Sequence, residues 1–218
     1  MTFSILAHDP EARLIGVAIA SRFFAVGAIC PFIFPGVGAI VTQALGHPPF
    51  GAAAETLLRR NLTADEVIER LLASDPKREE RQLHLLDAHG HFAAFTGSAC
   101  IAEAGAWQND TVSVAGNMLA SAEVLPAAMA GFEADGGLVA RLLTALTAAH
   151  TAGGDQRGQQ AAALLIYGSQ PFPLMSLRID DDPDAVARLV ALADAAAADY
   201  LPYMSRFFPS KELQAALG

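Results

Sequence analysis

The sequence predicts an α+β protein in which two mainly antiparallel sheets pack face to face, with helices on both outer sides. Strand-like runs come in adjacent pairs with short turns between them, which favours hairpins over βαβ units. Several of these runs are almost continuously apolar, as in strands buried on both faces. Only 17% of the 218 residues are charged and 53% are hydrophobic, which suits a deeply layered fold or a sizeable oligomer interface.

The first two elements are predicted to form a hairpin. The runs 2–8 and 13–20 flank the turn Asp9-Pro10-Glu11-Ala12. If His8 pairs with Arg13, Thr2 falls opposite Ile19, with Ser21 and Arg22 just beyond it. A slip of one residue would move these side chains to the other face.

The later elements follow from the pattern of apolar residues and turn residues. Further strands are expected at 24–33, 37–44, 81–87, 91–96, 111–116, 161–167 and 173–179. Helices are expected at 49–60, 64–73, 121–133 and 137–151, and another should begin at Asp182-Pro183 and end near residue 199. Thr63 and Glu66 fit a capping box at the start of the second helix. We expect one domain over 1–218 with a C-terminal helical segment.

Composition argues against several classes of function. A net charge of −9 with only two lysines leaves no basic patch for nucleic acid. The first residues lack a basic region and a long apolar segment, and prolines interrupt the charge-free stretch 23–54, so neither a leader nor a membrane span is expected. We therefore expect a cytoplasmic protein. Cys30 and Cys100 lie in apolar runs and are interpreted as buried free thiols.

Thr2 is the first candidate for chemistry. Methionine removal is efficient when the second residue is small, and the mature chain would then begin with a threonine that has a free α-amine. Such an amine has a pKa of about 7.7–8.0, which suits a general base near neutral pH. One residue would supply both nucleophile and base, as in covalent acyl transfer. A plain strand start is the simpler interpretation of Met-Thr alone.

Arg22 is the second candidate, because it is the one Asp, Glu, Lys or Arg between Leu14 and Ala54. A lone cation in such a run is either paired or functional. It would keep a neighbouring amine neutral or bind a substrate carboxylate, and a structural ion pair is an equal alternative.

Six motifs in the chain resemble a bacterial family catalogued as a domain of unknown function, which is placed in the N-terminal nucleophile (Ntn) hydrolase-like superfamily. The motifs are MTFSILAHDP, GVAIASRFFAVGA, VTQALGHPPFG, AAFTGS, VAGNML and GGDQRGQQAAALL, and the match runs from Thr2 to about Tyr167. The resemblance implies a four-layer α-β-β-α sandwich with Thr2 at the nucleophile position. Proteasome-like relatives place a lysine near the nucleophile, but no lysine precedes Lys77 here, so that role would pass to Arg22 or be absent.

Other polar residues near strand ends are candidates to complete the site. Asn117 would donate to an oxyanion, although a turn or helix-entry role is the alternative. Candidates for substrate binding are Ser21, Arg22, Gln43, Thr96, Gly97, Asp155 and Arg157. For Thr96 and Gly97 a plain turn is the alternative. Asp155 and Arg157 lie in a glycine-rich segment that lacks the ending of a phosphate-binding loop, so nucleotide binding is rejected.

The sequence therefore predicts an amidohydrolase that cleaves a small amide through Thr2, with no cofactor and no bound metal. One alternative is a catalytically inactive small-molecule binding protein on the same fold. A less favoured one is a metal-dependent hydrolase that uses His84, Asp87, His89 and His91. We also expect a homo-oligomer, for which Pro202, Tyr203, Met204, Phe207 and Phe208 are contact candidates unless they dock on their own domain.

Overall fold

The computed structural model describes residues 2–218, so Met1 lies outside the described residues. Its ten strands are β1 (Thr2–Asp9), β2 (Leu14–Ser21), β3 (Pro31–Phe34), β4 (Gly38–Ala44), β5 (Arg81–Leu86), β6 (Phe92–Thr96), β7 (Gly105–Gln108), β8 (Val112–Asn117), β9 (Ala161–Tyr167) and β10 (Met175–Ile179). Its six α-helices are α1 (Pro49–Leu58), α2 (Ala64–Leu72), α3 (Val124–Phe132), α4 (Leu138–Thr151), α5 (Ala185–Met204) and α6 (Ser210–Leu217).

The strands form two antiparallel sheets. The larger sheet has the order β10-β9-β2-β1-β8-β7, so β1 is an interior strand between β2 and β8. The smaller sheet has the order β3-β4-β5-β6. The pairing of consecutive strands confirms the predicted hairpin organisation.

The helices cover the two outer faces of these sheets. Apolar residues of α3, α4, α5 and α6 share one core with the larger sheet, and those of α1 and α2 share another with the smaller sheet. A third cluster fills part of the space between the sheets. The predicted α+β fold and its four layers are confirmed.

Alternation along β1 shows how the sequence builds these layers. Phe3 and Ile5 belong to the core under the helices, whereas Leu6 belongs to the cluster between the sheets. Because successive strand residues point to opposite faces, Thr2 and Ser4 share the inner face with Leu6. The start of β1 therefore presents hydroxyl groups to the space between the sheets.

Four local expectations were wrong. The strand expected at 24–33 is limited to β3, because Ala25 has a left-handed backbone and Val26–Ala28 form a 3-10 turn. The short strand β7 was not expected. In the first hairpin Thr2 pairs with Ser21 rather than Ile19, since the turn extends to Arg13 at φ 59°. The last long helix begins at Ala185, after a turn in which Asp182 accepts from the Asp184 N–H, and it continues to Met204 rather than ending near residue 199.

Several smaller expectations have clear outcomes. Thr63 and Glu66 form the predicted capping box of α2. Of the expected oligomer contacts, Met204 and Phe208 are buried in the protein's own core, whereas Tyr203 and Phe207 are exposed. Among the described residues, no helix combines the length and apolar character needed to span a membrane.

Candidate functional site

Thr2 begins the interior strand β1 and is bracketed by the ends of its two neighbours. Its strand partners are Ser21 on β2 and Asn117 on β8. The Thr2 Oγ1 lies 3.1 Å from the Ser21 Oγ, within hydrogen-bond distance. Only 4% of Thr2 is exposed. The fold thus gathers three of the predicted site residues at one point.

Asn117 directs its amide nitrogen towards two oxygen atoms. The Nδ2 donates to Gln82 Oε1 at 2.9 Å and reaches the Thr2 carbonyl oxygen at 3.5 Å. The first contact is a good hydrogen bond and the second is at the limit of one. One Asn117 N–H is therefore committed to Gln82, and the other is held weakly beside the start of β1.

Gln82, which lies at the start of β5, connects the two sheets at this end. Its Oε1 also accepts from Gln43 Nε2 at 2.8 Å. Its Nε2 donates to Thr96 Oγ1 at 2.9 Å and faces the carbonyl oxygens of Gly105 and Gly116 at 3.1 and 2.7 Å. The predicted binding residues Gln43 and Thr96 thus contact Gln82, and Gln43 is itself buried.

A second group of polar residues continues this network along the inner faces. Ser4 Oγ donates to Gln43 Oε1 at 2.8 Å and lies 2.9 Å from His84 Nε2. The His84 Nδ1 lies 3.1 Å from Ser113 Oγ. Burial lowers the pKa of His84 to about 3, because the charged ring would lose its hydration. His84 is therefore neutral at physiological pH.

Arg22, Asp155 and Arg157 form a separate cluster beside Ser21. The buried Asp155 carboxylate accepts from the backbone N–H of Arg22 at 2.9 Å and of Arg157 at 2.8 Å. The Arg157 guanidinium also pairs with it, at 3.2 Å. Asp155 therefore braces two chain segments and has little capacity left for a substrate.

The guanidinium of Arg22 has a different environment. Its Nη1 donates to the Arg157 carbonyl oxygen at 2.6 Å, and its side chain is exposed. Among the side chains that the structure describes, none of the carboxylates forms an ion pair with it. Arg22 thus has no direct ion pair within this part of the chain, although Asp181 lines the same cleft, whereas the guanidinium of Arg157 is paired with Asp155.

Gly97 has a packing role at the end of β6. Its N–H donates to the Arg81 carbonyl at 2.9 Å, and a Cβ at this position would lie 2.3 Å from the Glu79 carbonyl oxygen. The close approach of two backbones requires glycine here. Its place beside Thr96 puts it at the same end of the sheets as Thr2.

The two cysteines do not offer a competing nucleophile at neutral pH. Both are free thiols, Cys30 buried and Cys100 partly exposed. Burial raises the pKa of Cys30 to about 12, and burial also raises the pKa of Cys100. The thiolate is the reactive form, so neither sulfur is activated.

The residues of the metal alternative have other partners. Both ring nitrogens of His84 face serine hydroxyls inside the sandwich. Asp87 accepts from the backbone N–H groups of Ala64, His89 and His91, which fixes the β5–β6 turn. Among the described residues, no three His, Cys, Asp or Glu side chains are grouped to hold an ion.

Two clefts mark opposite ends of the sheets. A cavity of about 250 Å³ lies beside Arg22, with Gln159, Gln160, Asp181 and Pro183. A cavity of about 380 Å³ lies at the other end, among the turns that contain His8, Arg13 and His89. The second cavity is lined by Asp87 and His89 of the metal alternative, but by none of the residues predicted for catalysis or substrate binding through Thr2. Arg22 is the one predicted binding residue that lines the first cleft, and Thr2 is not part of the lining of either cavity.

Sequence reasoning missed Gln82, Ser4 and Ser113, and considered His84 only as a metal ligand. A signal for them exists in the sequence. Polar residues stand two apart in otherwise apolar strands at Thr2-x-Ser4 and Gln82-x-His84. This spacing places each pair on one strand face, which marks a polar layer between the sheets.

The sequence profile of a family of unknown function, DUF1028, matches residues 2–189. The chain also resembles the crystal structure of protein SPO2555 from Silicibacter pomeroyi, which is described as a DUF1028 protein. The two chains are 32% identical, the match covers 99% of this chain and 98% of the other, and the TM-score is 0.87.

A more distant likeness is to Anbu, the ancestral beta-subunit, from Yersinia bercovieri. Its identity is 14% and its TM-score is 0.44, with 95% of this chain and 98% of the other covered. Similarity at this level carries no conclusion about function. No functionally curated protein matches the chain significantly.

Proposed function

This chain belongs to the family of unknown function DUF1028, and we propose that it is an Ntn-type amidohydrolase that cleaves a small amide with Thr2. The observation that carries this proposal is the position of Thr2. It begins an interior strand, with its Oγ1 3.1 Å from Ser21 Oγ and the Asn117 amide beside it. The four-layer sandwich is also the fold that the resemblance to Ntn hydrolases implies.

The first chemical step uses the hydroxyl and the α-amine of Thr2. After Met1 is removed, the Oγ1 attacks the substrate carbonyl and the α-amine takes its proton, directly or through water. Ser21 holds the Thr2 hydroxyl in place. Because only 4% of Thr2 is exposed, the proposal requires that a path to this atom opens for the substrate.

The tetrahedral intermediate needs hydrogen-bond donors for its oxyanion. The Asn117 N–H that reaches the Thr2 carbonyl at 3.5 Å is weakly engaged and can turn to such an oxygen. Backbone N–H groups at the strand ends complete the oxyanion site. The protonated α-amine gives its proton to the leaving nitrogen as the C–N bond breaks, which releases the amine and leaves an ester on Thr2. Water, which loses a proton to the same α-amine, then hydrolyses the ester, and the proton returns to Oγ1.

Arg22 is proposed to bind a carboxylate of the substrate. Its guanidinium is exposed beside the cleft of about 250 Å³ and forms no ion pair among the described side chains, although Asp181 also lines that cleft. A planar guanidinium binds a carboxylate through two parallel hydrogen bonds. Arg157 is less suited, because Asp155 already pairs with it at 3.2 Å.

A screen of small amides tests the nucleophile. Wild type, Thr2→Ala and Thr2→Ser are compared, since all three second residues are small enough for Met1 removal. We expect Thr2→Ala to abolish turnover and Thr2→Ser to retain part of it. Turnover unchanged in Thr2→Ala rejects the proposal, and substrate binding without turnover in wild type favours the binding-protein alternative. Loss of turnover with a chelator and its recovery with zinc favours the metal alternative.

A second comparison tests the carboxylate anchor. We expect Arg22→Met to raise the KM for amides that bear a carboxylate and to leave neutral amides unchanged. Arg188→Met is the matched control, because Arg188 is an exposed arginine that does not line this cleft and lies 3.6 Å from Asp182. Equal losses for charged and neutral amides would show that Arg22 acts on the fold rather than on the substrate.

A further inference from the structure

The hydrogen bonds around Gln82 have only one consistent direction. The carbonyl oxygens of Gly105 and Gly116 can only accept, so they must face the Gln82 amide nitrogen. The Gln82 Oε1 then lies at the other end of the amide, and this oxygen can also only accept. Both Gln43 and Asn117 must therefore present their NH2 groups to it.

The same logic continues from Gln43 to the buried histidine. With its nitrogen on Gln82, Gln43 presents its Oε1 to Ser4, whose single hydroxyl proton must be donated there at 2.8 Å. His84 Nε2, 2.9 Å from Ser4 Oγ, has to be the donor in that pair. A neutral ring then accepts at Nδ1, from Ser113 Oγ at 3.1 Å.

We propose that Gln82 is a positioning residue that sets the donor-to-acceptor direction of the whole hydrogen-bond chain, which runs from Ser113 through His84, Ser4 and Gln43. It thereby holds the Asn117 amide with its nitrogen towards the start of β1. The direction of these hydrogen bonds is a property of the folded protein and does not depend on any catalytic activity. The consequence for Thr2 chemistry rests on the proposed function.

Several facts support a positioning role rather than a binding role. Gln82 is fully buried, so substrate cannot reach it. It contacts three predicted site residues, Gln43, Thr96 and Asn117, from three different strands. A neutral His84, whose pKa burial lowers to about 3, is what a ring that donates at one nitrogen and accepts at the other requires.

The His84 tautomer tests the direction of the chain without any substrate. Long-range proton–nitrogen NMR on protein labelled at histidine nitrogens should show His84 as the Nε2–H form at neutral pH. An Nδ1–H ring or a charged ring overturns the proposed direction. This measurement uses wild-type protein, so it holds even if a variant fails to fold.

Two variants then test whether Gln82 sets that direction. Gln82→Met fills a similar volume without polar atoms. It should leave His84 as a mixture of tautomers, because the Gln43 side-chain amide can then flip and exchange the positions of its nitrogen and oxygen. The matched control is Gln108→Met, at an exposed glutamine of β7 in the larger sheet. A single unchanged tautomer in folded Gln82→Met rejects the role of Gln82.

The link to Thr2 is tested with a β-lactone, a probe that acylates a nucleophilic hydroxyl. The ring acyl–oxygen bond breaks, an ester forms on Thr2 Oγ1, and the threonine proton ends on the opened hydroxyl. The rate is followed by intact mass, with peptide mapping to Thr2. Loss of an oxyanion donor lowers rates about a hundredfold, so we expect about that loss in both Gln82→Met and Asn117→Leu.

The double variant separates positioning from general damage. If Gln82 acts through Asn117, Gln82→Met with Asn117→Leu should react no more slowly than the slower single variant. Multiplied losses, or a Gln82→Met rate equal to that of Gln108→Met, contradict the positioning role. Wild type that is not acylated at all contradicts the proposed function. In that case the NMR measurement of the His84 tautomer still tests the direction of the hydrogen-bond chain.

Discussion

The space between the two sheets has an apolar half and a polar half, and strands β1 and β4 contribute side chains to both. The apolar half includes Leu6, Val17, Ile19 and Val41, packed around β2, β4 and β9. The polar half lies along β1, β4, β5 and β8 and contains Ser4, Gln43, Gln82, His84, Ser113 and Asn117. All of these side chains are almost completely buried.

The two halves obey different physical rules. Apolar contacts are non-directional, so the apolar half needs side chains of the right total volume. The polar half needs a matched donor and acceptor for every group, and among the described residues no fully buried side-chain nitrogen or oxygen lacks a partner. Thr2 lies where the polar half ends. The polar half, in which every donor needs a matched acceptor, is therefore the one that supports the proposed chemistry.

The largest expected effect is the removal of Gln82 from the polar half. Gln82→Leu leaves Gln43, Asn117 and two backbone carbonyls without their partner. An unsatisfied buried group costs about 1–3 kcal/mol, so we expect a loss of about 4 kcal/mol in the free energy of unfolding after partial relaxation. Urea unfolding followed by circular dichroism measures it. A loss below about 1 kcal/mol would mean that the network is not tightly matched.

The next effect is the dependence of stability on pH through His84. Unfolded protein protonates this ring near its ordinary pKa of 6.5, whereas the folded protein resists protonation down to about 3. The unfolded state therefore binds more protons in this window, and stability falls as pH falls, by at most about 1.4 kcal/mol per pH unit. The contribution is complete above about pH 6.5.

Comparison with His84→Gln isolates this effect from the other histidines and carboxylates. The difference in unfolding free energy between wild type and variant should shrink as pH is lowered from 7 to 5. Urea unfolding at several pH values measures the difference. Parallel pH profiles for the two proteins would show that His84 is not the buried neutral base described above.

A smaller effect is expected for Ser4→Ala. The change removes the donor to Gln43 Oε1 and the acceptor of His84 Nε2, and should lower the free energy of unfolding by about 2 kcal/mol. Ser176→Ala, at an exposed serine of β10 in the same sheet, is the matched control and should change little. Equal effects of the two substitutions would contradict the contrast between buried and exposed hydroxyls.

The smallest effect is expected in the apolar half. Ile19→Val removes one buried methylene between the sheets and should cost about 1 kcal/mol. His84, Asn117 and the reactivity of Thr2 should be unaffected, because no directional contact is lost. A change in the His84 tautomer on this substitution would show that the two halves are coupled.

The sequence allowed the layers and the neighbourhood of Thr2 to be predicted, because both follow from local patterns. Hairpins appear as paired apolar runs, and the capping box of Thr63 is a four-residue signal. The exact partner of Thr2 was not predictable, since the register depends on the left-handed backbone of Arg13 in the turn. The presence of arginine does not predict a left-handed backbone, which is uncommon for residues other than glycine.

The role of Gln82 also could not be predicted from the sequence. Its partners Gln43 and Asn117 are 39 and 35 positions away along the chain and come from both sheets. Strand alternation shows that Gln82 and His84 share a face, but not which face of the other sheet they meet. That depends on how the sheets are stacked, which no local pattern records.

The central claim is that Thr2 becomes the first residue and serves as the nucleophile, and the start of the mature chain tests it most directly. Untagged protein purified from cells should have an intact mass one Met residue below that of the translated chain, with threonine released in the first cycle of N-terminal sequencing. Methionine in the first cycle would contradict the claim, because the Thr2 nitrogen would then be an amide and could not act as a base.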